Sequence, residues 1–207
     1  MQEEQSLEVQ GKTGKIAVKW RPSGQTKLGF LACHPHPLFQ GSMDNKVITT
    51  LTRAAAELNL PTLRFNFRGV GESAGTHDYG QGEQEDVLSV LHYALNTLGW
   101  EKVVLAGFSF GAGMACLAAC REPEPIAQLF LLAPPVHHFD APAQLPFNFD
   151  THIYYGDQDE IVPIDEMAHW SELVLPTPHV RVFKGGSHFF HGQLIELKDA
   201  LKKDIGS

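Results

Sequence analysis

The sequence predicts an α/β fold, with a mostly parallel central sheet of about eight strands flanked by helices on both faces. Two observations carry this expectation. Short apolar runs of strand type alternate with stretches whose apolar residues recur at helical spacing. One strand-to-helix junction bears Gly107-Phe108-Ser109-Phe110-Gly111, a G-x-S-x-G pentapeptide. At 207 residues the chain is long enough for one α/β domain with a sizeable core. No repeat, low-complexity tract or linker divides it, so a single domain over residues 1–207 is expected.

The elements follow in order. Ser6 to Gln10 and Ile16 to Arg21 read as a hairpin around a Gly11–Gly14 turn. Leu28 to Cys33 is a buried strand. Val47, Ile48, Leu51, Ala54, Ala55 and Leu58 trace a helix, with Ser42 or Asp44 as its candidate cap. Thr62 to Phe67 alternates like a strand, and Val87, Leu88, Leu91, Ala94, Leu95 and Leu98 mark a second helix. Val103 to Ala106 leads into the pentapeptide, and the small residues from Ala112 to Cys120 form the helix after it. Leu129 to Ala133 is a strand stopped by Pro134-Pro135. His152 to Tyr155 and Val180 to Phe183 are the last two, with a helix from about Ile164 to Leu173 between them. Phe190, Leu194, Leu197 and Leu201 predict the final helix.

Composition narrows the function. A formal net charge of −8 argues against a nucleic-acid groove or an anionic membrane surface as partner. No apolar run reaches membrane-spanning length. The start, Met1-Gln2-Glu3-Glu4, lacks the basic and apolar regions of a secretory signal. Three cysteines form no disulfide framework, so a cytoplasmic location is expected. The oligomeric state is not legible.

The pentapeptide lies where strand, sharp turn and helix succeed one another, the setting of a nucleophile elbow. Such a turn lifts Ser109 above the strand ends, at a helix N-terminus that favours negative charge. A serine hydroxyl needs a base within hydrogen-bond reach, and the base needs an orienting acid. Downstream strand ends supply both types. One opens into Gly156-Asp157-Gln158-Asp159-Glu160, where Asp157, Asp159 and Glu160 compete and Asp159, with more reach than Asp157, is favoured as the acid. The other opens into Gly185-Gly186-Ser187-His188, where His188 is favoured over the later His191 as the base. The order Ser, acid, His is the one this architecture uses.

An oxyanion needs two N–H donors. One is the residue after the nucleophile, Phe110. The other comes from the loop His34-Pro35-His36-Pro37-Leu38 after the third strand. Proline has no N–H, which leaves His36, Leu38 or a residue just beyond. The H-x-H pair lacks a matching acid or cysteine cluster, so no metal is predicted. His34 reads as a structural histidine bonded to nearby loop backbone. His137 and His138 are open between pocket lining and a solvated loop. Arg68-Gly69-Val70-Gly71-Glu72-Ser73 is glycine-rich but lacks the Lys-Ser/Thr ending of a phosphate loop. Arg68 reads instead as a brace between loops.

Taken together, His34-Pro35-His36-Pro37, Asn66-Phe67-Arg68-Gly69-Val70-Gly71-Glu72-Ser73, Gly107-Phe108-Ser109-Phe110-Gly111, Asp159-Glu160-Ile161-Val162-Pro163 and Gly186-Ser187-His188 resemble the α/β-hydrolase superfamily over nearly the whole chain. More narrowly, the chain resembles short bacterial hydrolases with little or no cap. The resemblance implies Ser109 as nucleophile, Asp159 as orienter and His188 as base. It also implies a serine hydrolase of small carboxylic esters or thioesters, working through an acyl-serine on a small-molecule acyl substrate without a cofactor. A peptidase or acyltransferase on the same residues, and a binding protein that retains the fold without turnover, are the alternatives. Residues Pro134 to Asp150 are too few for a helical cap, and Phe139, Leu145, Phe147 and Phe149 are candidates for a small apolar wall beside the serine.

Overall fold

A computed structural model describes residues 2–25, 27–136 and 145–206. Its strands are β1 (Gln5–Gly11), β2 (Gly14–Arg21), β3 (Leu28–Cys33), β4 (Thr62–Phe65), β5 (Lys102–Phe108), β6 (Ile126–Leu132), β7 (Leu145–Pro146), β8 (Asp150–Gly156), β9 (Val174–Leu175) and β10 (His179–Phe183). Its helices are α1 (Lys46–Glu57), α2 (Gln81–Asn96), α3 (Phe110–Arg121), α4 (Ile164–Ser171) and α5 (Leu194–Ile205). Eight strands form one sheet in the order β1-β2-β4-β3-β5-β6-β8-β10. Only the β1–β2 and β2–β4 pairings are antiparallel; the rest run parallel.

The central strands are buried on both faces because two apolar layers cover the sheet. Alternate residues of β5 divide between them. Val103 and Leu105 join Leu91, Ala115 and Trp100 under α2 and α3, whereas Val104 and Ala106 join Ile48, Leu51, Leu197 and Leu201 under α1 and α5. The chain leaves β3 toward β4 on one side and returns to β5 on the other. This reversal opens a crevice at the carboxyl ends of β3 and β5, where ligands of such sheets bind.

Several local expectations need correction. Helix α1 is capped by Asn45, whose side chain accepts the Val47 N–H at 2.9 Å. Ser42 and Asp44 are otherwise engaged: Ser42 Oγ accepts the Asp44 N–H, and Asp44 pairs with Arg64 at 2.5 Å. Strand β4 stops at Phe65, because Asn66 and Phe67 leave the ladder to hold neighbouring loops. Asn66 Oδ1 accepts the Met43 N–H at 2.8 Å, and the Phe67 N–H donates to His34 Nε2 at 3.0 Å. Phe190 precedes α5 in a turn, at φ 52, so His191 is an exposed turn residue and not part of a helix. The small β7–β9 sheet escaped the sequence reading, since two-residue strands carry no periodicity.

Between β6 and β8 the chain has no room for a cap domain. His137, His138 and Phe139 lie outside the described residues, as does the Leu145 side chain. Phe147 and Phe149 are buried and stacked with centroids 4.8 Å apart, as part of the core and not as an open wall.

Candidate active site

The turn between β5 and α3 holds Ser109 at φ 53 and ψ −123, a region that non-glycine residues rarely occupy. Its neighbours make the turn possible. A Cβ on Gly107 would overlap the Gly111 carbonyl, and one on Gly111 would overlap the carbonyls of Cys33 and His34. Both positions therefore require glycine for close backbone approach. The Ser109 N–H donates to the Leu132 carbonyl at 2.8 Å, which ties the turn to the end of β6.

His188 enters from the loop after β10. Its Nε2 lies 2.9 Å from Ser109 Oγ and its Nδ1 lies 2.8 Å from Asp159 Oδ2. An ionised carboxylate can only accept, so Asp159 holds a proton on Nδ1 and leaves Nε2 to accept from the serine hydroxyl. The side chains of His188 and Asp159 are each only 2% exposed, which keeps water from competing. Phe108 and Phe189 flank the imidazole at 5.3 and 5.1 Å.

Asp159 is itself fixed. Its Oδ1 accepts the N–H groups of Ile161 and Val162, both at 2.8 Å. Burial works to raise its pKa, but the bond to His188 and these backbone donors outweigh it and hold the carboxyl below its ordinary value. Asp157 points elsewhere and accepts the Gly185 N–H at 2.6 Å. Glu160, which sequence reasoning left without a role, accepts the His188 backbone N–H at 3.0 Å. Position in the loop favoured Asp159 over Asp157 by reach alone; the fold places Asp159, and neither neighbour, at His188 Nδ1.

The loop after β3 lies against the elbow. His34 is fully buried, with Nδ1 2.5 Å from the Pro35 carbonyl and Nε2 accepting from Phe67. Burial pushes its pKa down to about 4, so it is a neutral structural histidine, as expected. The His36 ring packs 4.8 Å from Phe110, and its Nδ1 accepts the Leu38 N–H at 3.2 Å. The Leu38 N–H is thereby turned into its own loop. Phe110 opens α3, so its N–H has no acceptor within the helix.

The glycine-rich segment braces the crevice. Arg68 forms a two-pronged pair with Asp86 of α2, from Nε at 3.0 Å and from Nη2 at 2.7 Å. His77 also reaches the site, unforeseen from sequence. Its ring lies 5.0 Å from His36 and 5.7 Å from Phe110, and its Nδ1 is 2.9 Å from the fully buried Glu83. Among the described residues no cluster of three or more His, Cys, Asp or Glu side chains is placed to hold a metal.

A parallel-rich sheet, a serine in a strained strand-to-helix turn and a histidine between that serine and a buried carboxylate define an α/β hydrolase. A family model described as alpha/beta hydrolase fold matches residues 41–150, and the chain belongs to this family. It is 33% identical over 180 residues to the uncharacterized protein RP471 of Rickettsia prowazekii (strain Madrid E), covering 83% of this chain and 75% of that one. An alpha-beta serine hydrolase homologue from Coxiella burnetii is 40% identical, with a TM-score of 0.88 over 99% of this chain and 98% of its own. XC6422 from Xanthomonas campestris, described as a serine hydrolase without lid, is 35% identical, with a TM-score of 0.86 over 97% and 93%.

Proposed function

We propose that this hydrolase cleaves small carboxylic esters or thioesters through an acyl-serine intermediate. The observation that supports this most is the continuous hydrogen-bonded run from Ser109 through His188 to Asp159. In this reading Ser109 Oγ attacks the carbonyl carbon while its proton passes to His188 Nε2. Asp159 steadies the imidazolium that forms. The N–H groups of Phe110 and His36 receive the oxyanion. Leu38, the other loop candidate, is set aside because its N–H is used by the His36 ring. The imidazolium then protonates the leaving alcohol or thiol, and water attacks the acyl-serine by the same route in reverse. Every step uses groups of this chain, with no cofactor.

The test is a panel of p-nitrophenyl esters, acyl-CoAs and aminoacyl amides, run beside Ser109→Ala. Ester or thioester turnover lost in the variant supports the reading. Turnover of amides alone would make the protein a peptidase, and acyl transfer without hydrolysis would make it a transferase. No Ser109-dependent turnover of any of them, and no probe labelling, would favour a binding protein.

A further inference from the structure

A second polar cavity lies at the other end of the sheet. His152 of β8 stands beside Phe130 of β6 and His179 of β10 in strand register. The three rings stack, with Phe130 and His152 4.3 Å apart at 6° and His152 and His179 4.8 Å apart at 22°. His152 is 3% exposed, yet neither ring nitrogen has a hydrogen-bond partner. Its closest charged neighbour, Asp204 Oδ2, is 3.9 Å from Nδ1, beyond hydrogen-bond reach. The buried Nε of Arg181 is also unpartnered. His152, His179, Arg181 and Asp204 line a cavity of about 550 Å³ together with Pro178 and Val180. Unpaired buried polar atoms are costly, and a phenyl ring would stack between Phe130 and His179 without that cost. Their presence at a cavity wall calls for a guest.

We infer that this cavity binds a small oxyanion, a carboxylate or a phosphate, held by Arg181 Nε and His152. The chemistry of the free atoms selects that class. Asp204 already accepts the Tyr154 hydroxyl at 2.5 Å and Arg181 Nη2 at 3.1 Å. The uncommitted capacity is therefore a guanidinium N–H and an imidazole edge, which match the oxygens of an anion. The site is separate from Ser109: His152 lies about 13 Å below the carboxyl end of β8, at roughly 3.3 Å per residue, whereas Ser109 follows the carboxyl end of β5.

Acid strengthens such binding. His152 faces His179 and Arg181 of β10, Asp204 of α5 and Asp150 of its own strand, and burial pushes its pKa down to about 4. An anion beside it favours the protonated ring, so protons and anion bind together.

The test is titration of the intact protein with sodium acetate and, separately, inorganic phosphate, read by the NMR signals of the His179 ring, which lines the cavity and remains in both variants. One-site binding of either anion, tighter at lower pH, is expected; the anion that binds identifies the source. His152→Phe keeps the stacked ring and removes both nitrogens. It should weaken binding at least tenfold and leave Ser109 labelling by a fluorophosphonate unchanged. Arg181→Lys keeps the pair with Asp204 but lacks Nε; it should weaken binding similarly and serves if His152→Phe does not fold. Absence of binding by both anions, or undiminished binding in the folded variants, overturns the inference.

Discussion

Glu160 Oε2 accepts the backbone N–H of His188 at 3.0 Å, while the preceding residue, Asp159, holds the same histidine by its ring. Two consecutive carboxylates thus hold one residue at two points. Glu160 is exposed, and what it supplies is an acceptor that sets the backbone of the His188 loop. Removing it by Glu160→Ala should lower kcat/KM by about tenfold, the scale of one charge-assisted hydrogen bond. Glu160→Gln retains an acceptor oxygen and should stay near wild type. Equal loss in both variants would mean that charge, and not positioning, is what Glu160 contributes.

Ser109→Ala should abolish fluorophosphonate labelling and lower turnover by a factor on the order of 10⁴ or more. Ser109→Gly should do the same but be the more stable of the two, by about 1 kcal/mol. Alanine keeps a Cβ at φ 53, whereas glycine accepts that conformation without strain. Denaturant midpoints of the two variants check this; equal midpoints would show that the elbow stores no strain.

The acids should separate cleanly. Asp159→Asn leaves one acceptor oxygen, which the Ile161 and Val162 N–H groups use, and turns an amide NH2 donor toward His188 Nδ1, so it should lower kcat by roughly 10³- to 10⁴-fold. Asp157→Asn touches only the Gly185 N–H and should keep most activity, with a stability loss of about 1 kcal/mol or less. The reverse ranking in steady-state assays would move the orienting role to Asp157.

Stability should fall in mild acid because His34 must stay neutral. Its pKa is depressed from 6.5 to about 4 in the folded protein. The unfolded chain therefore takes up the proton first as pH falls. The contribution is complete above about pH 6.5 and is lost progressively on the way down to about 4, on the order of 3 kcal/mol in all. His34→Gln keeps an acceptor for the Phe67 N–H and should reduce the pH dependence of the unfolding free energy in that window by His34's share, the similarly depressed His152 keeping its own. An unchanged slope would remove His34 as its source.

Acetyl to butyryl p-nitrophenyl esters should be turned over better than long-chain ones below the micelle threshold. Each methylene contributes about 0.8 kcal/mol only when it is buried, and the segment between β6 and β8 is too short to form a cap over the serine. A kcat/KM optimum at eight carbons or more would reveal a covering surface.

By itself the sequence determined the order of the eight main-sheet strands and the five helices, the elbow with Ser109, and a preference for Asp159 and His188 as its partners. Local chemistry set these: apolar periodicity separates strands from helices, and the close approach at Gly107 and Gly111 tolerates no side chain. The structural role of His34 and the bracing role of Arg68 were legible for the same reason, since buried loops must satisfy their polar groups nearby. Reach along the loop favoured Asp159 over Asp157, but only the tertiary structure fixed which of Asp157, Asp159 and Glu160 meets the His188 ring, because three acids in one turn have similar local claims. It alone assigned the α1 cap to Asn45, with Asp44 drawn away by Arg64 some 20 residues on. It also brought His77 to Phe110 and stacked His152 between strands far apart in sequence. Such relationships arise from strand order and loop packing across the sheet, and no local pattern encodes which distant side chains will share a cavity.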